Sequence, residues 1–431
     1  MSWHDRYRSR LHTPEGAARL LQPGQRVYLG GNAATPDILT AAIAARAEEL
    51  QGLTVAHVLL LGRDPFAEAR QRGHIRHHAF FVGPADREAV QEGRADYVPC
   101  HLSEIPRILR SGAFPLDATV LMTAPPDAHG FLSLGVEVLA SLAAAETART
   151  LIVQVNPRMP RVHGNAFIHV DQVDAFVEAE EPLGELTPAA PDDVDRAIAA
   201  NIVPLIPEGA TLQLGIGGIP NAVVQSLGGR SDLGVHSEMI SDGVMNAVEA
   251  GIVTGACKSL HPRKVVTTFV LGSRALYDWV DDNPRVEAHP CDYTNDLLVA
   301  AQNRRLVAIN SAISVDLTGQ VNSDSMGSNI YSGVGGQVDF IRAAARSEGG
   351  VPIIALPSTA KNGAVSRITP LLAAGAGVVT SRADVHYVVT EHGAAHLFGK
   401  PLRERAESLI RIADPRHRDA LTEAARERRL L

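Results

Sequence analysis

Residues 206–220 read Ile-Pro-Glu-Gly-Ala-Thr-Leu-Gln-Leu-Gly-Ile-Gly-Gly-Ile-Pro. A tight turn comes first, then four residues suited to a strand, a glycine-rich loop and a proline. Ala222, Val223 and Leu227 follow at helical spacing. The same order occurs earlier, where residues 21–36 read Leu-Gln-Pro-Gly-Gln-Arg-Val-Tyr-Leu-Gly-Gly-Asn-Ala-Ala-Thr-Pro. There Ile38, Leu39, Ala42 and Ile43 share the helix face beyond the proline. Proline suits a helix start, where its missing N–H would have no partner in any case. One recurrence at this distance points to two related halves and not to a solenoid.

Residues 180–193, rich in proline and acid and poor in apolar side chains, are the natural linker. They divide the chain into residues 1–185 and 186–431. In the second half, runs suited to strands alternate with helical stretches. The strand runs are Thr211–Leu214, Val265–Leu271, Leu306–Asn310, Val351–Leu356 and His386–Thr390. The helical stretches are Val244–Ala250, Val338–Ala345 and Arg403–Ile412. This alternation predicts two related α/β domains with largely parallel sheets. Ligands of such sheets sit beyond the carboxyl ends of the strands, so the loops there are where chemistry is sought.

Composition narrows the function classes. The chain has 431 residues, 45% of them apolar, and a formal net charge of -8. That is enough to bury a good core. Aromatic residues are only 4%, so the core must rest on Ala, Val, Leu and Ile. An acidic balance argues against nucleic acid as a partner. Lys258, Lys264, Lys361 and Lys400 are the only lysines among 40 basic residues. Cys100, Cys257 and Cys291 are widely spaced and odd in number, which suits a reduced cytoplasmic setting better than a disulfide framework. Met1–His12 is polar with no apolar run, so no secretory signal is expected, and no membrane span is expected because the apolar stretch from Val136 to Ala144 is short and interrupted by Glu137.

Four local features could carry chemistry. The loop from Gly215 through Ile216, Gly217 and Gly218 to Ile219 lies between a strand and a helix, where backbone N–H groups can meet phosphate. Its pattern departs from the dinucleotide fingerprint, since Pro220 replaces the third glycine and Asp232 falls too early to bind a ribose. A second cluster, Gly333, Gly335 and Gly336, precedes a helix and could aim N–H groups at an oxyanion or simply make a turn. Glu238, in His236-Ser-Glu-Met-Ile-Ser-Asp-Gly243, stands just before a helix start, although an isolated glutamate is ordinarily a surface residue. His236 could pair with it or be held structurally. His74, His77 and His78 suggest a metal, but no neighbouring Asp, Glu or Cys completes a ligand set, so no metal site is expected.

Taken together, segments along almost the whole chain resemble the acetyl-CoA hydrolase/transferase family. They include GRADYVPCHLSEIP (Gly93–Pro106), QVNPRMPRVHG (Gln154–Gly164), TLQLGIGGIPNAV (Thr211–Val223), DLGVHSEMISDGV (Asp232–Val244) and LYDWVDDNP (Leu276–Pro284). INSAISVDLTGQV (Ile309–Val321), SGVGGQVDF (Ser332–Phe340), PSTAKNGAVSRI (Pro357–Ile368) and VVTEHGAAHLFGK (Val388–Lys400) complete them. The resemblance implies a CoA-transferase-like fold and class I CoA-transferase chemistry on short-chain acyl-CoA and small carboxylates such as acetate. It implies Glu238 as nucleophile, Gly336 as an oxyanion-hole donor, and CoA contacts from Gly215–Ile219, Ile313, Gly336 and Lys361. It further implies a homodimer, no resident cofactor, and CoA as substrate only. Ser237, His392 and Phe398 stand where relatives often carry Thr, Tyr and Arg. Three other readings remain at this point: an acyl-CoA hydrolase using the same site, a CoA-sensing protein, and an NAD-dependent enzyme.

Overall fold

The computed structural model describes residues 2–62, 64–66, 68, 73–187, 190–215 and 217–431. They form two compact units. The first contains Met1–Thr187, Val266–Thr294 and Ile330–Gly333, and the second Pro188–Val265, Asn295–Asn329 and Val334–Leu431. A single cut between residues 185 and 186 lies close to the first crossing but cannot describe the two later segments of the first unit. Those segments are held by contacts far apart in sequence. Val138 donates its N–H to the carbonyl of Thr268 at 3.0 Å, and Val270 donates to Val136 at 2.8 Å. The Arg87 guanidinium lies 3.7 Å from the ring centre of Tyr331 and donates to its carbonyl at 2.8 Å. No local composition announces such pairings.

The sheet of the first unit is built from β1 (Arg26–Leu29), β2 (Leu53–His57), β3 (Ile75–Ala79), β4 (Ala95–Tyr97), β5 (Ala118–Thr123), β6 (Thr150–Val155) and β7 (Ala175–Glu178). Their order is β7-β6-β5-β1-β2-β3-β4, and each neighbouring pair runs parallel. Every residue of β5 is buried, as parallel strands covered on both faces require. Helix α1 (Asp37–Ala45) follows β1 and buries Leu39, Thr40, Ile43 and Ala44. Leu39, Ile43 and Ala44 pack with Leu29, Leu53, Val55 and Val120 in one core cluster. Pro36 sits just outside the helix, and its carbonyl accepts from the Thr40 N–H at 2.8 Å. A short helix, α2 (Arg87–Gln91), leads toward β4.

In the second unit β8 (Thr211–Leu214), β9 (Gly234–His236), β10 (Leu306–Ser311), β11 (Val351–Ala355), β12 (Tyr387–Thr390) and β13 (Gly393–His396) stand in the order β13-β12-β11-β10-β8-β9. All these pairs are parallel except the β12–β13 hairpin. The sequence runs therefore fold as strands with ends shifted by a residue or so. Val265–Leu271 is the exception, since it breaks at Thr268 into Val265–Thr267 and Phe269–Val270. Among the helices are α3 (Gly218–Gln225), α4 (Asp242–Glu249) and α5 (Gln337–Arg346). No helix among the described residues is long and apolar enough to cross a membrane.

The glycine loop after β8 needs its glycines for two separate reasons. Gly217 has φ +122°, a conformation that a side chain rarely adopts. Gly218 has an ordinary backbone, but a Cβ there would overlap the carboxylate of Asp195. Pro220 falls in the first turn of α3, where its missing N–H breaks no helical bond. Gly218→Ala should therefore lower stability by about 1–3 kcal/mol through overpacking. Adding Asp195→Ala should recover part of that loss in a chemical-denaturation double-mutant cycle, whereas simple additivity would contradict the close approach.

Candidate active site

Three strand ends in the second unit supply the site. At the end of β9, Ser237 fixes the backbone before Glu238. Its Oγ accepts from the Leu214 N–H at 3.2 Å and donates to the Leu214 carbonyl at 3.0 Å. The carboxyl end of β8 is thereby tied to the residue preceding Glu238, and the glycine loop begins one residue later. At the end of β10, the Ser311 carbonyl accepts from Gln337 Nε2 at 2.7 Å. Gln337 Oε1 accepts in turn from Ser323 Oγ at 3.1 Å and Thr380 Oγ1 at 2.8 Å. This network holds the start of α5, where Gly336 is the N-cap.

Glu238 lies between these anchors, with its side chain partly open to solvent and its carboxylate closely surrounded. Oε2 accepts from Asn295 Nδ2 at 2.8 Å, and the Gly336 N–H also donates to this carboxylate. A Cβ on Gly336 would overlap Oε2, so only glycine admits the acid so close to the backbone. Burial pushes the Glu238 carboxyl up to about 7, and the charge of Asp339 in the first turn of α5 adds to this, while the two donors pull the other way. The site thus holds a carboxylate that is costly to ionise and therefore basic, facing donors able to stabilise negative charge on its own oxygen.

The residues singled out in the sequence are not all brought together. Glu238 and Gly336 are in direct contact. Gly215, Gly217, Gly218 and Ile219 form the loop and helix start after β8, and Gly215 donates its N–H to Ile309 at 3.3 Å. Ile216 lies outside the described residues. Ile313 is half-buried, its N–H donated to Asn322 at 2.9 Å. Lys361 is exposed at the turn of the Thr359–Ala360/Val365–Ser366 hairpin, with φ +50°. His236 is buried edge-on against Phe340, with ring centres 6.4 Å apart, which favours the structural role for it. Phe398 is exposed and lies over His386, with centres 4.1 Å apart. Sequence reasoning missed Asn295 and Asp339. Asn295 sits in an undistinguished Thr-Asn-Asp stretch, while Asp339 lies inside the Ser332–Phe340 segment, three residues past Gly336, one turn of helix away.

The raised carboxyl makes a prediction about stability. Its ordinary value of 4.5 moves to about 7, so the folded chain binds this proton more tightly than the unfolded chain. The acid then costs stability as pH rises from about 4.5 through 7, and that cost is fully present above. Glu238→Gln should raise Tm at about pH 8 and change it little at about pH 4.5. Equal Tm shifts at both pH values would contradict the buried, ionising carboxylate.

Comparison with known proteins identifies the family. Residues 1–186 match the acetyl-CoA hydrolase/transferase N-terminal domain, and residues 272–425 the C-terminal domain. The chain is 47% identical to the 4-hydroxybutyrate coenzyme A transferase of Clostridium kluyveri, over 99% of this chain and 100% of that protein. It is 37% identical to the butyryl-CoA:acetate CoA-transferase of Anaerostipes caccae, over 99% and 98%. The crystal structure of RipA from Yersinia pestis superposes with a TM-score of 0.95 at 37% identity, covering 100% of both chains. The fold is thus CoA-transferase-like, and the chain, an enzyme of the CoA-transferase type, belongs to the acetyl-CoA hydrolase/transferase family.

Proposed function

We propose that the chain transfers CoA from a short-chain acyl-CoA to a carboxylate acceptor such as acetate, with Glu238 as the covalent carrier. The observation that carries this reading is the pair of donors on Glu238, the Gly336 N–H and Asn295 Nδ2. A general base needs no such cradle on its own oxygen. A carboxylate that becomes an acyl group does, because its own carbonyl must then accept a nucleophile and carry the resulting oxyanion.

The steps follow. A Glu238 oxygen attacks the thioester carbonyl and CoA thiolate leaves, forming an acyl-glutamyl anhydride. The thiolate attacks the glutamyl carbonyl and expels the first carboxylate, leaving glutamyl-CoA thioester. An incoming carboxylate attacks that carbonyl and releases the thiolate, which then attacks the new acyl carbonyl and frees Glu238. Each leaving group is a thiolate or carboxylate, and a free thiol ionises near pH 8.5, so no strong general acid is needed. The thioester's free energy passes through the anhydride, so the cycle calls for neither ATP nor metal. CoA enters as substrate, with no resident cofactor.

The remaining assignments belong to the same proposal. The loop around Gly215, Ile216, Gly217, Gly218 and Ile219, opening α3, suits close approach of CoA to backbone N–H groups. Ile313 and Gly336 are the further CoA contacts that the family resemblance implies, and the exposed Lys361 offers a point charge to a CoA phosphate. A cytoplasmic homodimer rests on resemblance to the family.

Glu238→Ala should abolish transfer and Glu238→Asp should leave little, because the shorter arm withdraws from the donors. Gly336→Ala should lower kcat by about 100–1,000-fold, having displaced the acid as well as one oxyanion donor. Initial rates with paired acyl-CoA and acid substrates should show parallel-line patterns. Near-normal transfer by Glu238→Ala would remove the mechanism. Hydrolysis at the same site is the rival outcome, and equal CoA release with and without acceptor acid would favour it.

A further inference from the structure

Away from Glu238, the first unit contains four buried ionisable side chains with ligand atoms all within 4.8 Å of one another. They are His57, Asp64, His77 and Asp86. All are less than 5% exposed. His57 closes β2, His77 lies in the adjoining β3, Asp64 comes from the loop between those strands, and Asp86 precedes α2. None of them has a part in the chemistry of Glu238.

Their orientations are specific. His77 Nδ1 meets Asp64 Oδ2 at 2.8 Å, while the other oxygen of Asp64 accepts from the Phe66 N–H at 2.9 Å. With the His77 proton on Nδ1, beside Asp64, Nε2 of His77 would carry the lone pair. That Nε2 is in direct contact with His57 Nε2. Asp86 Oδ2 lies 3.7 Å from the His57 nitrogen and 3.8 Å from the His77 nitrogen. Asp86 Oδ1 accepts from the Gly83 N–H at 2.6 Å, whereas Oδ2 has no hydrogen-bond partner although it is buried.

Two imidazole nitrogens and one carboxylate oxygen therefore converge, and the outer carboxylate aligns one imidazole from behind. A purely hydrogen-bonded cluster would leave the Asp86 oxygen unsatisfied at considerable cost. A cation satisfies all three atoms at once. We propose that His57 Nε2, His77 Nε2 and Asp86 Oδ2 bind a divalent first-row transition-metal ion, with Asp64 as the outer-shell carboxylate that orients His77. The nitrogen and oxygen donor set suits Zn²⁺ and its neighbours and not Ca²⁺ or Mg²⁺. Metal–ligand distances of about 2.0–2.1 Å put tetrahedral donors roughly 3.3–3.5 Å apart, close to the Asp86 separations. The two imidazole nitrogens, now in direct contact, must move apart to that spacing to admit the ion. The ion's place is structural, since it cross-links β2, β3 and the turn before α2.

Zn²⁺ alone is the probe, and the full-length chain is the sample. Protein produced in zinc-supplemented medium and freed of loose metal should retain about one ion per chain by elemental mass spectrometry, as a tight structural site does. After chelator treatment, Zn²⁺ should raise Tm, and Co²⁺ should give the visible ligand-field bands of a low-coordinate nitrogen–oxygen site. The double variant His57→Gln/Asp86→Asn should lose the ion and the Tm response, while Glu238→Ala should keep both. If the double variant fails to fold, the Co²⁺ spectrum and Tm response of the unaltered chain decide alone. A chain that holds no ion and gains no Tm with Zn²⁺ would overturn the proposal. So would a folded double variant that binds Zn²⁺ as tightly as the unaltered chain.

Discussion

The contact between the Glu238 carboxylate and the backbone of Gly336 is the constraint around which the second unit is arranged. It requires a residue without a side chain at the start of α5, since any Cβ would occupy the place of Oε2. It also requires that α5 and the end of β9 be fixed independently. The Gln337 network supplies the first anchor from β10, and the Ser237–Leu214 pair supplies the second from β8. Parallel neighbours bring those strand ends to the same edge, which is why the site forms beyond the carboxyl ends of a parallel sheet. The one hydroxyl this link needs is Ser237 Oγ, which both accepts from and donates to Leu214.

The same contact sets function against stability. Burial drives the Glu238 carboxyl up to about 7, and Asp339 pushes in the same direction. A carboxylate held this way is a better nucleophile than one in water, yet its ionised form weighs against folding at neutral pH. Asn295 and the Gly336 N–H limit that penalty, and the proposed reaction uses those same two donors. The aromatic-poor core offsets the cost elsewhere with close helix-on-sheet contacts of small and branched residues, as in the cluster of Leu29, Leu39, Ile43, Val55 and Val120.

Much of this was legible in the sequence because it depends on local order. The turn–strand–glycine–proline repeat marked β1 and β8 and the helices that follow them, and the strand runs of the second half fold nearly where their composition places them. Glu238 became identifiable through its neighbours along the chain, not through its own chemistry. Pairings between distant segments were not legible. Asn295 reaches Glu238 across 57 positions, and Tyr331 is held by Arg87 across 244. The histidines show the same limit. Sequence spacing around His74, His77 and His78 shows no ligand set. The partners of His77 lie 20 residues before it, on a neighbouring strand, and in the loops around Asp64 and Asp86.

The central claim is that the Glu238 carboxylate bonds covalently to both acyl group and CoA. Multiple turnovers with an acceptor acid labelled with ¹⁸O in both carboxyl oxygens test it most directly. If the acid attacks a glutamyl-CoA thioester, one labelled oxygen remains on Glu238 each time the thiolate takes up the new acyl group. The peptide containing Glu238 should then gain the mass of heavy oxygen, and the released donor acid should carry label in later turnovers. A Glu238 peptide of unchanged mass, with oxygen from water in the released acid, would contradict covalent transfer and leave Glu238 as a base in a hydrolase.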